Sequence, residues 1–550
     1  MLNVTELSLL FPMIHSMYNQ IDHSMNILFK SSMLCASILL AACNNNDQQS
    51  QPSPEQNTSS KYYQTKTPYQ PQQDLKKYEA IPQGFKPVFT ELVARHGSRG
   101  LSSIKYDLAL YNLWKQAKAE NALTPLGEKL GADLESMMKA NILLGYGVDG
   151  IRQYGYGNET MLGIQEHRGI ADRLLQRLPE LFKTAATQPE SILVQSSGVD
   201  RAVDSAKFFT AELIQQQPQL KNQVTPVSYT SLTSTSIPSI EDGGVDRFKL
   251  YFHSLNKDQD LAKPLSTQQQ AIYDASQAYQ QFEEENADLA NKLKEIEKDT
   301  RAEQVALSVL NPIFKPEFIK KLGTTGYTFS NSGTYTVTSP KGETITEKGK
   351  GKNTIASAVD AAAYLYELYS ISGGMQLELK GMNFDQYMPV DAAKFYAEFN
   401  DANDFYEKGP SFQESNAVTS NIAQGLKQDL FNQVDAIVDK QQSHRAVLRF
   451  AHAEIIIPLA TSLELHDMMQ PLPLRQTYNY SNSTWRGEVV SPMAANLQWD
   501  IYQNAQGATL VKMLYNEKET LFKSSCKYAQ YSTNSFYYDY LKLKQCYQIQ

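Results

Sequence analysis

The stretch Val88-Phe89-Thr90-Glu91-Leu92-Val93-Ala94, followed at once by Arg95-His96-Gly97-Ser98-Arg99, decides the reading of this chain. Its first half has the length and composition of a buried strand. Its second half is too charged for a core and carries a glycine that suits a turn. The pattern recurs twice. Ser191-Ile192-Leu193-Val194-Gln195 runs into Ser196-Ser197-Gly198-Val199-Asp200-Arg201, and Ala446-Val447-Leu448-Arg449-Phe450-Ala451 runs into His452-Ala453-Glu454. Helical patterns lie between them, as over 163–183 with Glu166, Ile170, Leu174 and Leu178. Strands alternating with helices indicate an α/β layered core.

Ligands in open α/β sheets bind beyond the carboxyl ends of the strands. If the three strands share one sheet, Arg95, Arg99, Arg201, His96, His452 and Glu454 converge on one spot. Three guanidiniums in one place call for a dianion, and phosphate matches their bidentate geometry. Gly97 lets the backbone approach where a Cβ would intrude. A histidine among such cations stays neutral, which leaves a ring nitrogen free to attack phosphorus. Glu454 can protonate the leaving oxygen. No metal and no cofactor is required, because the arginines neutralise charge themselves. Taken singly, each residue has a plainer explanation: Arg201 reads as a surface helix residue and His452 as a buried, hydrogen-bonded one. The conjunction carries the argument. His167, His253, His444 and His466 show no ligand spacing and are assigned no direct chemistry.

The chain has 550 residues, with 51 Lys+Arg against 59 Asp+Glu and a net charge of −8. An acidic protein is a poor candidate for nucleic-acid binding. The four cysteines, Cys35, Cys43, Cys526 and Cys546, form no C-x-x-C. They are too few for a disulfide scaffold and unsuited to a zinc ribbon. From 265 to 310, Ile272, Ala275, Tyr279, Phe282, Leu289, Leu293 and Ile296 recur at helical spacing and predict a long amphipathic helix. Residues 323–353 predict a hairpin and loop carrying Lys341, Lys348, Lys350 and Lys352, a solvated surface or a grip on further phosphates. A second helix is expected from an N-cap at Thr354 to Ser370. The tail turns β-like again over 485–490 and 508–515, and no repeat of solenoid or propeller period is present.

At the amino terminus, Lys30 precedes an uncharged, largely apolar run over 31–42 that ends Leu40-Ala41-Ala42-Cys43. The run suits a secretory signal and is too short to span a bilayer. Its end resembles a bacterial lipobox, with Cys43 lipidated and Cys35 discarded. A plain signal with a chance cysteine is the alternative. Residues 1–24 hold no Lys or Arg, and Met25 is the expected start. Residues 44–80 read as a flexible tether, since the Asn, Gln, Ser and Pro that dominate 44–78 cannot bury enough surface to fold. The protein is thus expected to be an exported lipoprotein, periplasmic or tethered to the outer membrane, touching the membrane through its lipid alone.

Arg95-His96-Gly97-Ser98-Arg99 with the later His452-Ala453-Glu454 resembles the histidine acid phosphatases, clade two of the histidine phosphatase superfamily. His-Ala-Glu, the flank Leu448 to Leu459, and the stretches 491–496, 511–518 and Asp404 to Pro410 are similar to its multiple inositol polyphosphate phosphatase, or phytase, branch. The resemblance covers about 85–550 and is weakest over 255–350. It implies His96 as a nucleophile forming phosphohistidine, Arg95, Arg99, Arg201 and His452 as phosphate ligands, and Glu454 as proton donor. It further implies a phosphoglycerate-mutase-like sheet with helices on both faces and an inserted, mostly helical cap. The expected division is signal and lipobox 25–43, tether 44–80, core 81–235, cap 236–435 and core 436–550. Leu101 and Ala202 stand where the family often has Pro and Thr, which bears on substrate range. Inositol polyphosphates are the substrates the resemblance implies for a monomeric, metal-independent phosphomonoesterase. A broad acid phosphatase on sugar or nucleotide phosphates, and a non-catalytic envelope lipoprotein binding phosphorylated ligands, are the alternatives. Cys526 and Cys546, both in the exported part, are expected to pair, against two free buried thiols.

Overall fold

The computed structural model describes residues 61–183, 191–229, 244–256, 265–441, 444–465 and 469–549. The signal segment, Cys43, the tether as far as residue 60 and His466 lie outside the described residues. Strand β1 (Lys86–Arg95) is central in a seven-stranded mixed sheet. On one side it pairs in parallel with a strand late in the chain, and on the other it pairs antiparallel. In chain order the remaining strands are β2 (Ser191–Ser196), β3 (Phe329–Thr338), β4 (Thr344–Ile355), β5 (His444–Ala451), β6 (Asn496–Gln503), β7 (Thr509–Tyr515), β8 (Lys518–Thr520) and β9 (Tyr537–Asp539). The sheet order is β2-β5-β1-β6-β7-β8, with β9 also on β7; β3 and β4 form a separate hairpin. The three strands read from the sequence are therefore adjacent and parallel, and β6 was not anticipated.

Alternation in the strands sends side chains to two faces. Phe89, Val93, Val447 and Ala451 join Trp499, Val511 and Met513 in one core. Leu92, Ala94, Ile192, Val194, Leu448 and Phe450 join the other. Helices cover both faces, so the architecture is a layered α/β fold. The helices used below are α1 (Tyr106–Ala119), α2 (Pro125–Ile142), α3 (Met161–Arg177), α4 (Asp200–Gln216), α5 (Arg247–Leu250), α6 (Thr267–Glu285), α7 (Ala287–Glu297), α8 (Ala302–Leu310), α9 (Ala358–Ser372), α10 (Val390–Glu407), α11 (Gln424–Val438) and α12 (Ala453–Ser462). Ile170 and Leu174 of α3 and Phe209 of α4 line one face, and α6, α7, α11 and α12 line the other. A further core gathers α1, α2, α8, α9 and the first half of α10. It draws α1 and α2 from before the expected boundary at 236, while α6 and α7 from beyond that boundary pack with the sheet.

Several expectations are corrected. The long helix over 265–310 is three helices: Asn286 leaves helical geometry (ψ 116) and its side chain caps α7 instead, and a turn at 299–301 precedes α8. The helix over 163–183 breaks before Pro179, which starts a short second piece. The N-cap of α9 is Ser357, whose hydroxyl accepts from the Asp360 amide, rather than Thr354, which lies within β4 of the hairpin. Residues 487–490 form a helical turn, not a strand. The tether does not extend to 80. Tyr63, Gln64, Thr65 and Tyr69 are buried, Gln64 donates to Asp404 (2.5 Å), and the Tyr69 hydroxyl donates to Glu517 (2.8 Å). Polar composition concealed four tyrosines and a set of buried hydrogen bonds, which bind residues 61–80 to the core as a strap. Among the described residues no helix is long and apolar enough to cross a membrane.

Candidate active site

The parallel pairing sets Arg95 opposite Ala451 and Ser196 opposite Phe450. The segments after β1, β5 and β2 therefore leave the sheet side by side. The loop 96–101 is stapled from below: the His96 amide donates to Ala451 O, the Ala494 amide to His96 O, and the Thr160 amide to Ser98 O. Its Gly97 has no room for a side chain, since a Cβ would lie 2.5 Å from Glu159 Oε1 and 2.6 Å from Gly163 O. Helix α3 can thus begin directly against the loop. Glu159 accepts from the Gly97 amide (2.9 Å), and Glu166 accepts from the Ser98 amide (2.7 Å) and hydroxyl (2.8 Å). Burial raises both carboxyls, Glu166 to about 7.

His96 is buried, and its Nδ1 lies 2.9 Å from Gly97 O. A carbonyl only accepts, so Nδ1 carries the proton and Nε2 keeps its lone pair. Burial, then Arg201, Arg95, His452 and Arg99, hold the imidazole well below its ordinary value. All three arginines and His452 thus act on His96. The His96 and His452 rings are 5.6 Å apart. His452 Nε2 meets the Ser197 hydroxyl at 2.8 Å, so the three-residue run after β2 fixes the ring. Burial and Arg201 keep His452 neutral, against the opposing charge of Glu454. Arg95 is oriented by Nη1 donation to Thr65 O (2.6 Å) and Ser491 O (2.5 Å), so the strap and the segment leading into β6 aim it. Arg99 Nη1 donates to Gly100 O at 2.7 Å.

Glu454 stands in the first turn of α12 with 21% of its side chain exposed, and Lys408 Nζ is 3.9 Å away. Burial pushes the carboxyl up, but Lys408, His253 and His452 outweigh it and hold it well below the carboxylate range. Lys408 is fixed in turn by Asp404 at 2.8 Å. Lys408 falls within the quoted Asp404-to-Pro410 stretch, yet no role was read for it.

Two more groups at this place were missed. Residues 244–246 run alongside the end of β2: the Ser196 amide donates to Gly244 O and the Asp246 amide to Ser196 O. Arg247 therefore emerges at the same edge, with its guanidinium 4.0 Å above the Tyr251 ring. Tyr251 packs on His253 (4.5 Å between ring centroids) and on His452 (5.8 Å). The i, i+4 spacing of Arg247 and Tyr251 was the available signal. His167, by contrast, is a support: its buried ring donates from Nε2 to Arg95 O at 3.1 Å, and burial lowers it to about 3. His444 lies at the far end of β5, against Ser191. Beneath the site, Arg449 bonds Glu91 (2.9 Å) and Asp429 (2.6 Å), and Lys249 joins Asp429 (3.0 Å) to Asp246 (3.2 Å). The Lys-rich strand β4 holds Lys348, Lys350 and Lys352 exposed, with β3 and β4 laid on α1 through Tyr335 and Tyr111 (5.7 Å). Cys526 and Cys546 form a disulfide, with Cys526 in the core that α12 also lines.

The profile of the histidine phosphatase superfamily (branch 2) matches residues 88–516. A crystal structure of Bifidobacterium longum multiple inositol polyphosphate phosphatase in complex with inositol hexasulfate is similar, with 33% identity and a TM-score of 0.75 over 89% of this chain and 97% of that one. The phytase from D. castellii shares the fold, with a TM-score of 0.55 at 11% identity over 88% of this chain and 84% of that one. Human multiple inositol polyphosphate phosphatase 1 is 27% identical over 174 residues, 29% of this chain; the match spans about a third (34%) of the human protein.

Proposed function

The chain belongs to the histidine phosphatase superfamily (branch 2) and is a phosphatase, and from that premise we propose that it removes phosphate from inositol polyphosphates through a phosphohistidine on His96. The observation that carries this reading is the gathering of Arg95, Arg99, Arg201 and His452 around a neutral His96 whose Nε2 keeps its lone pair. His96 Nε2 attacks phosphorus in line, and the guanidiniums hold the equatorial oxygens as charge builds on them. Glu454 gives its proton to the leaving oxygen, and in the second half takes one from the water that attacks the phosphohistidine. A phosphate dianion beside Glu454 disfavours its carboxylate, which offsets Lys408 and returns the proton it needs. The relative solved with inositol hexasulfate supports the substrate class, since each sulfate ester there stands where phytate has a phosphate ester.

Turnover of phytate beside glucose 1-phosphate and an aryl phosphate tests the substrate, with and without EDTA. Phytate is expected to be turned over best and EDTA to have no effect. Equal turnover of all three would leave a broad acid phosphatase instead, and activity lost to EDTA would end the metal-independent mechanism. Rapid quenching with labelled substrate is expected to trap acid-labile label on His96.

We also propose that Cys43 anchors the protein by lipid outside the cytoplasm. The disulfide supports an oxidising compartment. Labelling with a radioactive fatty acid, lost in Cys43→Ala, is the check.

A further inference from the structure

His253 has no part in the mechanism above, yet it stands on the leaving-group side of the site. The turn that carries it, Phe252–Ser254, packs against α12, whose first turn presents Glu454. Its ring is 6.4 Å from that of His452 and 4.5 Å from that of Tyr251. Its Nδ1 is buried and lacks a hydrogen-bond partner among the described residues. A buried polar atom left unpaired in a native site calls for an explanation in function. The charged groups that act on it are Glu454 from α12, Arg247 from α5, Lys408 beyond α10, Arg201 from α4 and His452 beyond β5, while α6 packs against the same turn.

We propose that His253 is a positioning residue for the proton donor, sharing the donated proton with Glu454 as the leaving group departs. This rests on the reading of Glu454 given above. Lys408 is a fixed cation and favours the Glu454 carboxylate, the form that cannot donate. His253 adds to that pull when charged, yet it is titratable and, unlike Lys408, can hand its proton on to Glu454. In the site without substrate it is neutral, pushed down to about 4 by burial, with Glu454 opposing and Arg247, Lys408 and Arg201 adding to the effect. A bound phosphate dianion offsets those cations, so a proton taken up with the substrate can rest on His253 as imidazolium. As the His96 Nε2–P bond forms and the P–O bond breaks, the electron pair stays on the leaving oxygen. Glu454 takes that proton from the His253 imidazolium and hands it to the leaving oxygen, which leaves His253 neutral and Glu454 a carboxylate. When water cleaves the P–N bond, the pair returns to Nε2, and the Glu454 carboxylate takes the one proton water releases and shares it again with His253.

Leaving groups separate this role from a structural one. An alkoxide needs the proton; p-nitrophenolate leaves without it. In His253→Asn or His253→Gln, whichever melts within a few degrees of the parent, kcat on glycerol 2-phosphate is expected to fall roughly 10- to 100-fold, with less than about threefold loss on p-nitrophenyl phosphate. Equal losses on both substrates, or no loss, would overturn the proposal. Glu454→Gln is measured alongside. If it also shows no bias between the two substrates, the donor assignment itself fails, and the inference with it. If it shows the bias and the His253 variants do not, this inference alone fails.

Discussion

β2, β5 and β1 run parallel, so their three carboxyl ends meet along one edge of the sheet. β6 to β9 alternate in direction, so that edge receives the beginning of β6 and the end of β7. The two halves share the same cores, yet their contributions at that edge differ. The parallel half supplies His96, Arg99, Arg201, His452 and Glu454. The antiparallel half supplies grips: Ser491 O holds Arg95 (2.5 Å), and Glu517 holds Arg173 (2.7 Å) and the Tyr69 hydroxyl (2.8 Å), which keeps the strap in place. Parallel strands can pool side chains on one ligand. Antiparallel strands next to them can brace the pool.

Breaking the parallel half should abolish chemistry without unfolding the protein. His96→Ala removes the only nucleophile in the scheme, and turnover is expected to fall at least roughly 10⁴-fold. Glu454→Gln removes the proton but keeps the shape, and should cost on the order of 10²- to 10⁴-fold on phytate. Steady-state kinetics beside thermal melting checks both. A melting temperature that falls with activity would mean that these residues brace the fold, and the contrast between the halves would not hold.

Legibility in the sequence follows the same division. The strand ends were legible because a buried strand is a short apolar run and a charged residue straight after it is conspicuous. β6 was not, since Asn496, Gln498 and Asp500 interrupt the apolar pattern. Those side chains turn out to be buried and bonded, as Arg177 to Asp500 at 2.8 Å illustrates. The strap was misread for a similar reason: its polar residues satisfy one another and the core. The i, i+4 spacing of Arg247 and Tyr251 was a signal without a place, because only tertiary pairing with Ser196 carries their segment and His253 to the site. Lys408 could be quoted as part of a motif, but its distance from Glu454 is a property of the fold alone.

A third prediction sharpens the role of the brace around the donor. Below its usual value of 6.5, His96 stays neutral, because burial and the arginines depress its pKa. The nucleophile therefore remains competent as the pH falls below that value. Glu454 is depressed too, so its protonated fraction grows as pH falls. Both signs place the favourable range on the acid side, with the basic limb set by the donor. Lys408→Met removes a charge that favours the Glu454 carboxylate. The basic limb of kcat should then move to higher pH, by about one unit or more. A pH–rate profile whose basic limb does not move would separate Lys408 from the donor.

The smallest expected effect lies in the antiparallel half. The Cys526–Cys546 bridge closes a loop of 20 residues between the end segments that pack under β7 and β9. Loop-closure entropy assigns such a bridge about 3 kcal/mol. In a chain of this size that corresponds to roughly 3 °C in melting temperature. The double variant Cys526→Ser, Cys546→Ser should melt lower by that much, yet hydrolyse phytate at the parental rate, because no atom of the bridge is among those that orient His96, Arg95 or Glu454. Should kcat fall with the melting temperature, the antiparallel half would be more than a brace: strain at its edge would be reaching Arg95 through β7, β6 and Ser491.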